Sequence, residues 1–99
     1  MNERRAHQRD RFNASVLVRT EGFSDTAEVV DMGQGGARLQ WNCRQLHEGA
    51  RLTLMVQSSP FSFSRFEARV LQVTNGTVRL QFEEELEQEL VCQIERAAA

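Results

Sequence analysis

From residue 13 to residue 82, apolar and polar side chains alternate with a period of two, in short runs separated by turn-forming residues. That period fits strands and does not fit helices. In GARLQW, residues 36–41, Ala37, Leu39 and Trp41 fall on one side and Arg38 and Gln40 on the other. GTVRLQF, 76–82, repeats the pattern with Val78, Leu80 and Phe82 inward and Arg79 and Gln81 outward. RLTLMVQ, 51–57, puts Leu52, Leu54 and Val56 on one face, and SVLVR (15–19), DTAEVVD (25–31) and FEARVLQV (66–73) bring the number of strands to six. Turn residues punctuate them: Glu21-Gly22, Gly33 to Gly36, Glu48-Gly49, Ser58-Ser59-Pro60 and Asn75-Gly76. Asn-Gly between apolar runs is a strong hairpin signal. Six short strands with nothing helical between them predict an antiparallel meander closed into a small β-barrel.

After Phe82 the pattern changes. EEELEQELVCQIER places Leu86, Leu90, Val91 and Ile94 on one helical stripe, with glutamates at its start and Arg96 near its end, as the helix dipole favours. The glutamates read as a solvated helix face. Ninety-nine residues suffice for one domain. Its expected parts are a flexible arginine-rich arm over 1–12, the barrel over 13–82 and a C-terminal helix over 83–99.

Several function classes are excluded by what the chain lacks. No apolar run approaches the roughly 20 residues that span a bilayer, and the charged start is not followed by the apolar stretch of a secretory leader. A cytoplasmic location is therefore expected. Cys43 and Cys92 have no CxxC spacing and no clustered histidines, and read as reduced, buried thiols. The only histidines are His7 and His47, the latter in a polar turn; no serine or cysteine has a nucleophile context, and there is no lysine for a phosphate loop. Neither an enzyme nor a cofactor or metal site is expected.

Charge is unevenly placed. The chain carries −2 overall, yet residues 1–12 hold four arginines against Glu3 and Asp10, while residues 83–99 hold six glutamates against Arg96. Binding to DNA or RNA in general needs broader basic surface than this. One compact anion held at one place is compatible with it.

Two stretches contain the candidate chemistry. In ERRAHQRDRF, residues 3–12, Arg5 and Arg9 are four apart and able to converge on one anion, with Arg4 adjacent and His7 between them. The guanidinium fork matches phosphate oxygens and the O6/N7 edge of guanine. A polar terminus is equally what a solubilising tail looks like. In VVDMGQGGARL, residues 29–39, glycines free the backbone amides to approach a ligand, and Asp31 is a ready acceptor for the N1–H and N2–H₂ of guanine. By itself this is also an ordinary glycine-rich turn.

Taken together, an RxxxR arm ahead of the first strand and a [D/N]xSxxG turn some twenty residues later resemble the PilZ family of bacterial cyclic-di-GMP receptors. Here the first motif is Arg5-Ala6-His7-Gln8-Arg9, preceded by Arg4, and the second is Asp31-Met32-Gly33-Gln34-Gly35-Gly36, running into Ala37-Arg38-Leu39. The likeness extends through QLHEGARLTLMV and EARVLQV to the closing helix. It implies a six-stranded antiparallel PilZ-type β-barrel with a C-terminal α-helix, and a cyclic dinucleotide bound on the outer surface under the arm. By the same resemblance Arg5 and Arg9 contact phosphates and guanine edges, Asp31 a guanine, and Gly36 makes the close backbone turn. Arg4 is a plausible helper, and Arg38, outward on the following strand, is added from alternation. Where the family has serine this chain has Gly33, which removes one hydroxyl from the ligand's surroundings. The implied function is a receptor that passes the cyclic-di-GMP signal to a protein partner. The alternative is an interaction module of pilus or motility machinery that no longer binds nucleotide.

Overall fold

The computed structural model describes residues 13–43 and 45–98. Each alternating run forms a strand: β1 (Ala14–Arg19), β2 (Ser24–Met32), β3 (Gly36–Gln40), β4 (Arg51–Ser59), β5 (Ser62–Thr74) and β6 (Thr77–Phe82), followed by helix α1 (Gln88–Ala98). All neighbouring strands are antiparallel, and the sheet closes in the order β1-β2-β3-β6-β5-β4. Closure leaves inward residues facing one another, so Val18, Val29, Leu39, Leu54, Val56 and Val78 are fully buried. Burying a side chain of this size stabilises by about 1.5–3 kcal/mol relative to exposure. Ile94 of α1, also fully buried, joins the same core.

Three expectations are corrected. The strands do not form a simple meander: β3 pairs with β6 and β4 with β1, so the connection 41–50 crosses the barrel between strands that are not neighbours. The chain does not turn over residues 58–60 but at Pro60 and Phe61, with β4 running to Ser59 and β5 starting at Ser62. There the usual polarity is inverted, with Ser58 and Ser64 on the inner face, bonded to each other at 3.0 Å, while Phe61 and Phe63 face solvent. Hydrophobic alternation cannot signal a strand whose apolar side points outward.

The helix begins at Gln88, not at residue 83. Residues 83–87 are held to the barrel, because the Glu83 N–H donates to the Glu67 carbonyl at 2.9 Å and the Leu86 N–H to that of Gln34 at 2.8 Å. Helical bonding starts at the Glu87 carbonyl, which accepts from Leu90 and Val91. The glutamate run therefore mostly precedes the helix, still at the dipole's positive end. Cys43 and Cys92 are free but half-buried.

Trp41 is core, as its alternation predicts, and its indole N–H donates to Asp25 Oδ2 at 2.9 Å. That bond, and then the one from the Thr26 backbone N–H, hold the Asp25 carboxyl below the ordinary aspartate range. A carboxylate favoured in this way contributes stability above its unfolded pKa of about 3.9. The contribution is lost as pH falls through the lower folded value. An NMR titration is expected to place Asp25 below the ordinary range in the wild type and back toward it in Trp41→Phe. An unchanged titration in that variant would remove the indole as the cause.

Candidate functional site

Asp31 has the same odd-numbered parity as the buried Ala27 and Val29, so unbroken alternation would drive it into the core. A β-bulge prevents this. Val29 pairs with Leu39 but Asp31 pairs with Arg38, which leaves Val30 as the extra residue. The shift turns Asp31 outward and Met32 inward, where Met32 is 5% exposed. Bulges that re-aim a side chain in this way are frequent beside binding sites. Asp31 Oδ2 then lies 4.0 Å from Arg38 Nη2 on the outer wall.

Past Asp31 the chain reverses through Gly33–Gly36, closed by the Gly33 N–H donating to the Gly36 carbonyl at 2.9 Å. Gly36 is required by close approach, since a Cβ there would overlap the Leu80 carbonyl of β6. Gly33 is different: a Cβ would meet nothing within 4 Å, and its backbone is not in the left-handed region occupied by Gly49 and Gly76. The turn is also tied to the segment before α1. Gln34 accepts from the Leu86 N–H through its carbonyl and donates from Nε2 to the Leu86 carbonyl at 3.0 Å, and the Phe82 N–H donates to Gly35.

Asp31, Gly33, Gly35, Gly36 and Arg38 line an open groove of about 330 Å³. The structure thus brings Asp31, Gly33, Gly36 and Arg38 together. It adds two residues that were not singled out as site residues. Arg79 on β6 stands directly opposite Arg38 in the β3–β6 pairing. Leu71, the extra residue of a second bulge where Val70 pairs with Leu80 and Gln72 with Arg79, is 44% exposed beside them. Like charges opposite one another on a sheet are unfavourable. The pair is tolerated with Asp31 beside Arg38 and the Gln72 side chain accepting from Arg79 Nη1 at 3.5 Å. Two guanidinium groups facing one open groove suit an anion. Arg4, Arg5, His7 and Arg9 lie outside the described residues. However, Ala14 pairs with Val29, so the chain enters β1 at the groove's end of the barrel.

A larger hollow of about 530 Å³ lies at the other end, lined by Asp25, Glu28, Trp41 and Asn75 among others. Its two carboxylates make it unsuited to an anion. Among the described residues no group of three or more His, Cys, Asp or Glu is placed to hold a metal ion, and no helix is long and apolar enough to cross a membrane.

The sequence pattern of the PilZ domain family matches residues 3–98. The chain belongs to that family. The PilZ fold is equally plain among solved structures. The chain is similar to the PilZ domain of CeSA from a cellulose-synthesizing bacterium, with TM-score 0.65 and 17% identity over 86% of this chain and 89% of that one. It is also similar to the Borreliella burgdorferi PlzA protein in complex with c-di-GMP, with TM-score 0.61 and 13% identity, covering 99% of this PilZ chain but 42% of PlzA. At these identities the likeness is one of fold. No curated protein matches the chain.

Proposed function

We propose that this PilZ domain is a cyclic-di-GMP receptor that relays the signal to a protein partner. The observation that carries the reading is the groove in which the β2–β3 glycine turn, Asp31 and Arg38 converge with Arg79, at the barrel end where the N-terminal arm joins β1. That a PilZ-fold neighbour was solved with c-di-GMP supports the ligand class. In this reading Arg5 and Arg9, assisted by Arg4, clasp phosphates and guanine edges from above. Asp31 accepts from a guanine, Arg38 and Arg79 face phosphate, Leu71 offers an apolar contact to a base, and Gly36 keeps the turn close to β6. The function is binding, without bond-making chemistry. The signal leaves through the segment before α1, because the reciprocal Gln34–Leu86 bonds couple the ligand-facing turn to it.

Calorimetry with cyclic-di-GMP, with GTP and cyclic-di-AMP as controls, tests the ligand. Gly33 favours the second reading, an interaction module without nucleotide, because it lacks the hydroxyl of the family motif. The two readings separate on Gly33→Ser. The position is open and its backbone unstrained, so serine adds a hydroxyl at little structural cost. A receptor short of one hydrogen bond should bind up to about tenfold more tightly in this variant. Absence of binding at near-millimolar ligand in both wild type and Gly33→Ser would leave the interaction module standing.

A further inference from the structure

The β4–β5 hairpin runs on past its neighbours. β5 begins at Ser62, but its pairing with β6 begins only at Ala68, after the single bond from Glu83 to the Glu67 carbonyl. Backbone groups alternate in direction along a strand. The Glu67 carbonyl faces β6, so Phe63 and Arg65 present their N–H and C=O groups on that same side, where no strand pairs with them among the described residues. An open edge of this kind is a template for another strand. It is also apolar: Phe61 is 97% and Phe63 69% exposed. On the outer wall Phe63 stands opposite Gln57 and diagonal to Met55, which is opposite Arg65 and whose neighbour on β1 is the exposed Leu17.

We propose that two copies of this chain associate by antiparallel pairing of residues 62–66 across a two-fold axis at Ser64. This register sets Phe63 of each copy opposite Arg65 of the other. All four outward backbone groups on each side are then satisfied, and a guanidinium is laid against an aromatic ring, a favourable contact. The charge pattern selects the register, because the two-fold register shifted by one residue to Arg65 sets two arginines face to face. Phe61 of the second copy, in the turn just before its paired strand, then comes up to Glu83, which already holds the place opposite Glu67, beside a groove of about 450 Å³ lined by Phe66, Leu86 and Leu90 and rimmed by Glu83, Glu84 and Glu85. The incoming tip, QSSPFSF, carries no carboxylate to oppose that acidic rim. The occupant thus follows from the edge's own self-complementarity. The inference does not depend on nucleotide binding.

Sedimentation equilibrium of the full chain without nucleotide should give twice the 11.3 kDa chain mass. Phe61→Ser and Phe63→Ser, at positions too exposed to disturb folding, should each weaken dimerisation by about tenfold or more. Ser64→Cys in a Cys43→Ser/Cys92→Ser background tests the axis. Directly opposed residues that share no hydrogen bond have Cα atoms about 4.5 Å apart, within disulfide range. Mild oxidation should therefore give a covalent dimer, and Ser62→Cys, which faces Phe66 of the second copy, should not. A monomer at every concentration overturns the proposal and leaves the edge to a strand of another protein. A dimer insensitive to both phenylalanine changes overturns it as well.

Discussion

Gly36→Ala is expected to lower the melting temperature by roughly 12–24 °C, the largest loss from adding a single methyl to this barrel. Where Gly36 pairs with Gln81, the place a Cβ would take is already filled by the Leu80 carbonyl. The obstacle is backbone, which cannot rotate aside as a side chain does, so β3 and β6 must separate at the point where the barrel closes. Overpacking typically costs about 1–3 kcal/mol, and a clash with the backbone belongs at or above the upper end. For a domain of this size each kcal/mol corresponds to about 4–8 °C. Gly33→Ala supplies the internal control, because a methyl there meets nothing within 4 Å. Thermal unfolding of the pair checks the reading. Equal melting temperatures would show that Gly36 is not held against β6.

Arg5→Ala and Arg9→Ala are each expected to weaken cyclic-di-GMP binding by about 10- to 150-fold while leaving the unliganded melting temperature nearly unchanged. A hydrogen bond to a charged group contributes about 1.5–3 kcal/mol, which converts to that range of affinity. Lysine at either position should recover only part of the loss, since it keeps the charge but not the planar two-pronged donor. Calorimetry on the four variants decides the matter. Wild-type affinity in both alanine variants would remove the arm from the site, and full rescue by lysine would reduce its role to net charge.

Much of the fold was legible in local chemistry. Period-two alternation located all six strands, and Asn75-Gly76 marked its hairpin because both residues must adopt positive φ, 45° and 83° in the structure. Leu90, Val91 and Ile94 marked the helix. Its start at Gln88 was not legible, because the backbone of residues 83 and 86 is engaged by Glu67 and Gln34, far away in the chain. The extension of β4 and β5 was hidden for a related reason: Phe61 and Phe63 stand outside and serines inside, the reverse of the pattern that identifies a half-buried strand.

The candidate site divides in the same way. The sequence by itself determined which residue types stand at the β2–β3 turn, with their spacing, and matched them to a family motif together with Arg5 and Arg9. Only the tertiary structure decided that Asp31 faces outward, through the extra residue at Val30, and that Arg79 belongs with Arg38. It likewise gave Gly36 a reason that Gly33 does not share. Alternation, turn preference and helical stripe act between residues a few positions apart, so they can be read along the chain. Register, bulges and the choice of β6 as the neighbour of β3 depend on contacts between segments some forty residues apart, settled by the closure of the barrel as a whole.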